Sequence, residues 1–219
     1  MLSSLLPAEV AVAETFDDPS DAVLFPEEEA AIARAVEKRR REYITARHCA
    51  RLAMARLGLP PVAIGTGGNR EPLWPAGVVG SMTHCDGYRA AAVARSVDVP
   101  GLGIDAEPHG ALPTGVLDTI ARPDEVPMLE ALAAARPQVW WDRLLFSAKE
   151  SVYKAWYPVA ERWLGFEEAS LDVEPGEVRD DGSITGGYTV RIHQSGAPLT
   201  RMAGRWMVES GFVVTAIVL

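Results

Sequence analysis

Residues 139–158 read VWWDRLLFSAKESVYKAWYP, and taking this stretch as a helix decides how the rest of the chain is read. Leu145, Ala148, Val152, Ala155 and Trp156 recur at helical spacing, no Gly or Pro interrupts the run before its end, and Pro158 is expected to stop it. On another face Ser147, Glu150 and Lys154 stand three and four residues apart, so a carboxylate and an ammonium project side by side from a stiff support. By itself such a pair reads as a surface ion pair on an amphipathic helix.

About forty residues upstream, residues 101–109 read GLGIDAEPH, an apolar, strand-like stretch in which Asp105 and Glu107 fall two apart and so on one face. Two carboxylates on a strand and a third on a helix make a hard oxygen set suited to Mg²⁺, which keeps several waters and shares its other positions with substrate phosphates. The D-x-E pattern alone is weak. With 30 acidic residues in 219 such spacings arise by chance, and solvated acids at a strand end are its ordinary reading.

Composition bounds the alternatives. A chain of 219 residues, 48% apolar, can bury one sizeable core or two small ones. Its uncharged apolar runs are shorter than the ~20 residues a membrane helix needs, and residues 1–7 lack a basic start and an adequate apolar segment, so a cytoplasmic protein without membrane contact is expected. Two cysteines, Cys49 and Cys85, cannot form a disulfide framework and are expected buried and reduced. The net charge of −9 disfavours nucleic acid as a partner. Charge is unevenly spread, however: residues 34–56 carry eight Lys or Arg against Glu37 and Glu42, a local +6 that leaves −15 elsewhere and would draw a small anion.

That basic segment belongs to a second predicted helix, from Glu27 to Leu57, closed by Gly58 and Pro60-Pro61 and carrying Arg40, Arg47 and Arg51 along one stripe. A solvated basic face explains this equally well. Residues 64–72, IGTGGNREP, form a loop whose glycines either bring backbone amides close to a phosphate or serve a plain turn. Residues 78–84 and 88–94 read as a hairpin with Ser81, Thr83 and His84 at its end, where a lone His is more often structural than ligand-binding. Short helices are expected at 115–121 and 124–135, and strands at 169–174, 187–193 and 200–219, the last region turning at Ser210-Gly211. Helix precedes sheet twice, which suggests an α+β protein with halves 1–100 and 101–219.

G-I-D-x-E followed by F-S-x-K-E-x-x-x-K-A resembles the Sfp-type phosphopantetheinyl transferases. More closely, KRRREYITARHCARLA, GSMTHCDGYR, GIDAEPH, WDRLLFSAKESVYKAWYP and RWLGFEEA are similar to the actinobacterial PptT-like enzymes, from about Pro26 to Leu219. The resemblance implies two pseudo-symmetric α+β halves with the site between them. It implies transfer of the phosphopantetheine arm of coenzyme A to a serine of an acyl or peptidyl carrier protein, with adenosine 3′,5′-bisphosphate leaving. Mg²⁺, or Mn²⁺, would be held by Asp105, Glu107 and Glu150 with the Ala106 carbonyl, Glu150 would accept the serine proton, and Lys154 would neutralise phosphate charge. Coenzyme A contacts are implied at Arg39 and Arg47 for the ribose phosphate, at Thr66, Gly67, Gly68 and Asn69 in the loop, at Thr83 and a cationic or donor His84 for the diphosphate, and at Asp105, Lys149, Glu150 and Lys154.

Relatives commonly place lysines where Thr66 and Asn69 stand, with Arg70 the nearby substitute. The segment 109–138 lies on the side where such enzymes receive the carrier protein. A nucleophile supplied by the partner agrees with the lack of any Ser-His-Asp or Cys-His arrangement. Two other readings use the same acids and basic helix: a Mg²⁺-dependent coenzyme A pyrophosphatase, and a non-catalytic coenzyme A binding module. Three carboxylates together with Lys154 argue against the last.

Overall fold

The computed structural model describes residues 1–219. In chain order the elements are β1 (Ala11–Thr15), α1 (Glu37–Arg56), β2 (Gly65–Thr66), β3 (Pro72–Leu73), β4 (Val78–Cys85), β5 (Tyr88–Arg95), β6 (Leu102–Pro108), α2 (Val116–Ile120), α3 (Val126–Ala135) and α4 (Trp141–Ala160), followed by β7 (Ala169–Val173), β8 (Glu177–Val178), β9 (Ile184–Ile192), β10 (Arg201–Glu209) and β11 (Phe212–Val218). One sheet runs β1-β5-β4 and a larger one β6-β11-β10-β9-β7, with β8 on the side of β9; β2 and β3 pair alone. All pairings are antiparallel. The α+β class expected from the sequence is the class observed.

Turn chemistry sets the hairpins. Ser210 and Gly211 both take positive φ, 52° and 82°, which suits the two-residue turn between β10 and β11. Strand β5, YRAAAVAR, is buried on both faces, and its small side chains permit that. Ala91 and Val93 pack under Cys49, Ala50, Ala53 and Met54 of α1. Tyr88, Ala90, Ala92 and Ala94 join Ile104, Ala106, Val214 and Ala216 in a core shared by both sheets. Helix α4 buries Leu144, Leu145, Ala148, Val152, Ala155 and Trp156 against Leu171, Tyr188, Val190, Trp206 and Val213.

Two features of this packing build the site. A Cβ on Gly103 would lie 2.0 Å from the Ser151 carbonyl and 2.6 Å from the Ala155 nitrogen, so glycine there lets α4 rest directly on β6. Between β4 and β6 the connection runs through side chains: Ile104 donates its N–H to Ser81 Oγ at 3.1 Å, and Ala106 donates to Thr83 Oγ1 at 3.0 Å.

Two helix boundaries differ from expectation. The basic helix starts at Glu37, and Pro26–Ile32 is a separate 3₁₀ turn. The cause is Glu28, fully buried, whose carboxylate accepts from Phe25 N–H, Ile64 N–H and Arg51, folding the 3₁₀ turn back over α1. Arg51 and Arg40, which donates to the Ile32 carbonyl, are thereby structural and leave the expected stripe. Helix α4 continues through Pro158 to Ala160, ending at Glu161 with φ 49°. Near a C-terminus the missing proline N–H costs one hydrogen bond, to the Lys154 carbonyl, and does not stop the helix. Strand β1 was not anticipated. No helix is long and apolar enough to cross a membrane.

Candidate functional site

Asp105 and Glu107 project from β6 toward α4. Asp105 Oδ1 accepts from Lys154 Nζ at 2.7 Å and from Thr83 Oγ1 at 3.2 Å, and Lys154 also donates to the Ile104 carbonyl at 3.1 Å. Asp105 Oδ2 is buried without a hydrogen-bond partner. Glu107 Oε2 accepts from Arg143 Nη1 at 2.9 Å. Arg143 is itself pinned, donating to the Gly110 carbonyl at 3.1 Å and to the Ala111 carbonyl at 2.8 Å. Ala106 turns its N–H, and with it its carbonyl, toward the β4 edge.

Electrostatics follow from burial. Desolvation and the neighbouring Asp105 push Glu107 up to about 7, against the pull of Arg143 and Lys154. Glu150 is raised above the ordinary carboxylate range by burial, which Lys154 opposes and Asp105 reinforces. Like-charge crowding of this kind is what a cation relieves. The donor set, all carboxylate and carbonyl oxygen, with Asp105 Oδ2 buried and unpartnered, has the chemistry that suits a hard divalent ion. The expected ligands do not stand as a closed cluster, however: no three Asp, Glu, His or Cys side chains converge to that degree. Three adjacent carboxylates would repel, and here Lys154 and Arg143 draw two of them apart.

The basic helix faces the same region. Arg39 is exposed, its Nη1 against His84 Nε2 and 3.9 Å from Glu42 Oε2; His84 Nδ1 lies 3.5 Å from the same carboxylate. Because arginine can only donate, His84 Nε2 accepts and Nδ1 carries the proton. Burial, then Arg39 and Lys154, push the imidazole down to about 3. Of the two forms expected, a cationic or a donor His84, this environment favours the neutral donor, its Nδ1–H facing Glu42. Thr83 is engaged as well: its hydroxyl accepts from Ala106 N–H and donates to Asp105, so it joins β4 to β6 and orients the acid.

Arg47 is buried beneath the glycine loop. Its Nε donates to the Ile64 carbonyl at 3.0 Å, its Nη2 to Thr66 Oγ1 at 2.8 Å, and its guanidinium carbon lies 3.3 Å from the centroid of the Tyr43 ring. Burial lowers it to about 10, which leaves it protonated at neutral pH. The loop amides are mostly committed: Gly67 N–H to the Glu71 carbonyl, Arg70 N–H to the Gly67 carbonyl, and Asn69 N–H to the Glu71 carboxylate. That carboxylate fills the flank of Gly67, where a Cβ would meet Glu71 Oε1 at 2.1 Å; the flank of Gly68 is open. The expected backbone cradle is thus partly closed by the loop's own acid. Asn69 Nδ2 reaches across to the Tyr157 hydroxyl of α4 at 2.6 Å.

Lys149 is the clear misassignment. Its ammonium is enclosed by the carbonyls of Ile120, Phe166 and Ala169 and by Glu125 Oε2 at 2.7 Å, a fully buried pair facing away from Glu150. The signal was present, since Leu145, Lys149, Val152 and Trp156 share one helical stripe. Arg143 and Glu42 were missed, and their partners lie too far away in sequence or too close to chance spacing to be read.

These acids, the helix above them and the basic helix opposite define a class. Residues 27–94 match the family model for the 4′-phosphopantetheinyl transferase N-terminal domain, and residues 101–194 that of the 4′-phosphopantetheinyl transferase superfamily. The chain belongs to the 4′-phosphopantetheinyl transferase superfamily and is an enzyme of that class. It is 50% identical over 225 residues to the 4′-phosphopantetheinyl transferase Npt of Nocardia iowensis, covering 99% of each chain. It is 50% identical over 229 residues to PptT of Mycobacterium tuberculosis, covering 100% and 98%, and 52% identical over 221 residues to Svp of Streptomyces mobaraensis, covering 99% and 88%.

Proposed function

We propose that this protein transfers the phosphopantetheine arm of coenzyme A to a serine of an apo acyl or peptidyl carrier protein, in a Mg²⁺-dependent reaction that releases adenosine 3′,5′-bisphosphate. The observation that carries the reading is Asp105, its Oδ2 buried and unpartnered and its Oδ1 held by Lys154 of a helix that rests on Gly103 and also carries Glu150, with Glu107 two residues along the same strand. Asp105, Glu107, Glu150 and the Ala106 carbonyl would hold the Mg²⁺, which when bound supplies charge neutralisation on the phosphates. Lys154 offsets charge gathering on the leaving phosphate as its bond to the transferred phosphorus breaks.

Glu150 accepts the serine proton. It makes no hydrogen bond of its own and is more basic than an exposed carboxylate, both of which suit a general base. A neutral His84 would line the diphosphate side, and Arg39 and Arg47 would meet the ribose phosphate, with the loop at Thr66–Asn69 beside Arg47. Each would exchange a present internal contact for the ligand. Intact-mass measurement of apo carrier proteins incubated with enzyme, coenzyme A and Mg²⁺ tests the reading. One added phosphopantetheine on serine is expected. Coenzyme A cleavage with no added mass, proceeding equally without a carrier, would identify a pyrophosphatase instead.

A further inference from the structure

Three carboxylates and two cations meet at the acid site, and the cations are not loosely placed. Lys154 is tied to both Asp105 and the Ile104 carbonyl. Arg143 is tied to Glu107 and to two successive carbonyls of the 110–111 segment. We propose that Lys154 and Arg143 are built-in counter-cations which make a divalent ion bind together with the diphosphate of coenzyme A rather than ahead of it. This rests on reading Asp105, Glu107 and Glu150 as the ligands.

Charge and freedom of movement set the order of binding. Against three negative charges the two fixed positives leave a net of one, too little to hold a bare dication out of water. A dication arriving alone meets two like charges already in contact with its ligands. Neither can retreat without giving up hydrogen bonds to backbone carbonyls as well as its carboxylate, and the repulsion from each costs roughly tenfold or more in affinity. A diphosphate reverses the sign. Its oxygens attract the ion and both cations together, so Lys154 turns from competitor to partner. By linkage the ion must then raise coenzyme affinity by the same factor that the coenzyme raises the ion's. The lack of any closed three-ligand cluster agrees with a site that waits for ligand oxygens to complete it.

The test is titration with Mn²⁺, read from loss of the free-ion electron paramagnetic resonance signal, above the pH at which Glu107 ionises. It is run on the wild-type chain alone and with coenzyme A, without any carrier protein. Weak bare binding, tightened roughly a hundredfold by coenzyme A, is expected. Arg143→Met and Lys154→Met should each tighten bare Mn²⁺ binding by about tenfold and shrink the gain from coenzyme A. Equal affinity with and without coenzyme A overturns the proposal while leaving the metal reading intact. Failure of one variant to tighten strikes out that residue, and failure of both overturns the proposal. An Asp105→Asn chain that binds Mn²⁺ like wild type, or no Mn²⁺ binding even with coenzyme A, overturns the metal reading and this proposal with it.

Discussion

Lys154 Nζ lies 2.7 Å from Asp105 Oδ1, forty-nine residues away in sequence, and forms no ion pair with Glu150, the carboxylate one turn back on its own helix. Proximity along the helix loses to burial: Asp105 is 5% exposed, and a carboxylate so placed costs more to leave uncompensated than one at the margin. Lys154→Met should therefore destabilise the fold by about 1.5 to 3 kcal/mol, the range of a hydrogen bond to a charged group, with the lysine's partial exposure keeping it from the top. In an Asp105→Asn background the same change should cost much less. Urea unfolding of the four chains measures the coupling, and additivity within error would show that the pair contributes nothing.

Glu107 makes a prediction about pH. Its carboxyl, pushed up to about 7 in the fold, titrates at ~4.3 when unfolded. Between these values the folded chain keeps a proton that the unfolded chain has lost. The stabilisation is complete below the unfolded value and disappears as pH rises through about 7. Unfolding free energies of wild type relative to Glu107→Gln should accordingly decline across that window, by up to roughly 3 kcal/mol. Parallel pH profiles for the two chains would refute this.

What the sequence made legible was local. The buried stripe of α4, the shared face of Asp105 and Glu107 on β6 and the turns at Asp86-Gly87 and Ser210-Gly211 all follow from spacing and backbone preference, and each stands where expected. What failed was decided by contacts distant in sequence. Nothing between residues 27 and 57 announces that Glu28 will bind Ile64 and break the helix, nor does anything near Arg143 point to Glu107. Thr83 stands at the strand end expected, but its bonds to Ala106 and Asp105 could not be read, because the β4–β6 seam that uses its hydroxyl has no local signature.

Lys149 and Glu125 form an ion pair with both side chains 1% exposed. Glu125 also accepts from the N–H groups of Arg122 and Leu171, so the pair ties the α2–α3 segment and β7 to α4. Removing one partner strands a buried charge. Lys149→Met should cost about 3 to 5 kcal/mol, and Lys149→Met with Glu125→Leu much less than the sum of the single changes. Coenzyme A affinity, measured where the single variant is still folded, should be near wild type; a large loss would restore Lys149 to the coenzyme site.

Arg47 separates a ligand contact from a scaffold. Arg47→Ala removes the donors to Ile64 and Thr66 as well as a charge beside the loop. If the guanidinium meets the ribose phosphate, coenzyme A should weaken by roughly tenfold to a hundredfold while a coenzyme lacking that phosphate changes little. Calorimetric titration with both ligands decides it, and equal losses would show that Arg47 serves only to hold the loop.

Glu150 is asked to be both ligand and base, and Glu150→Gln divides the two roles. The amide keeps the size and one carbonyl oxygen, so weak coordination can survive, but it cannot accept the serine proton. With Lys154 engaged at Asp105, the loss of the Glu150 charge breaks no ion pair, so folding stability should change by under about 1 kcal/mol. Burial of the side chain favours the neutral amide, which works in the same direction. Turnover should nonetheless fall by ~10² to 10⁴, the usual contribution of a general base. Coenzyme A affinity in Mg²⁺ should fall far less, because Asp105, Glu107 and the basic helix remain. Single-turnover transfer to an apo carrier protein, with coenzyme A saturating, isolates the chemical step from binding. A Glu150→Gln chain that transfers at close to the wild-type rate under those conditions would assign the proton to another acceptor and leave Glu150 a ligand only.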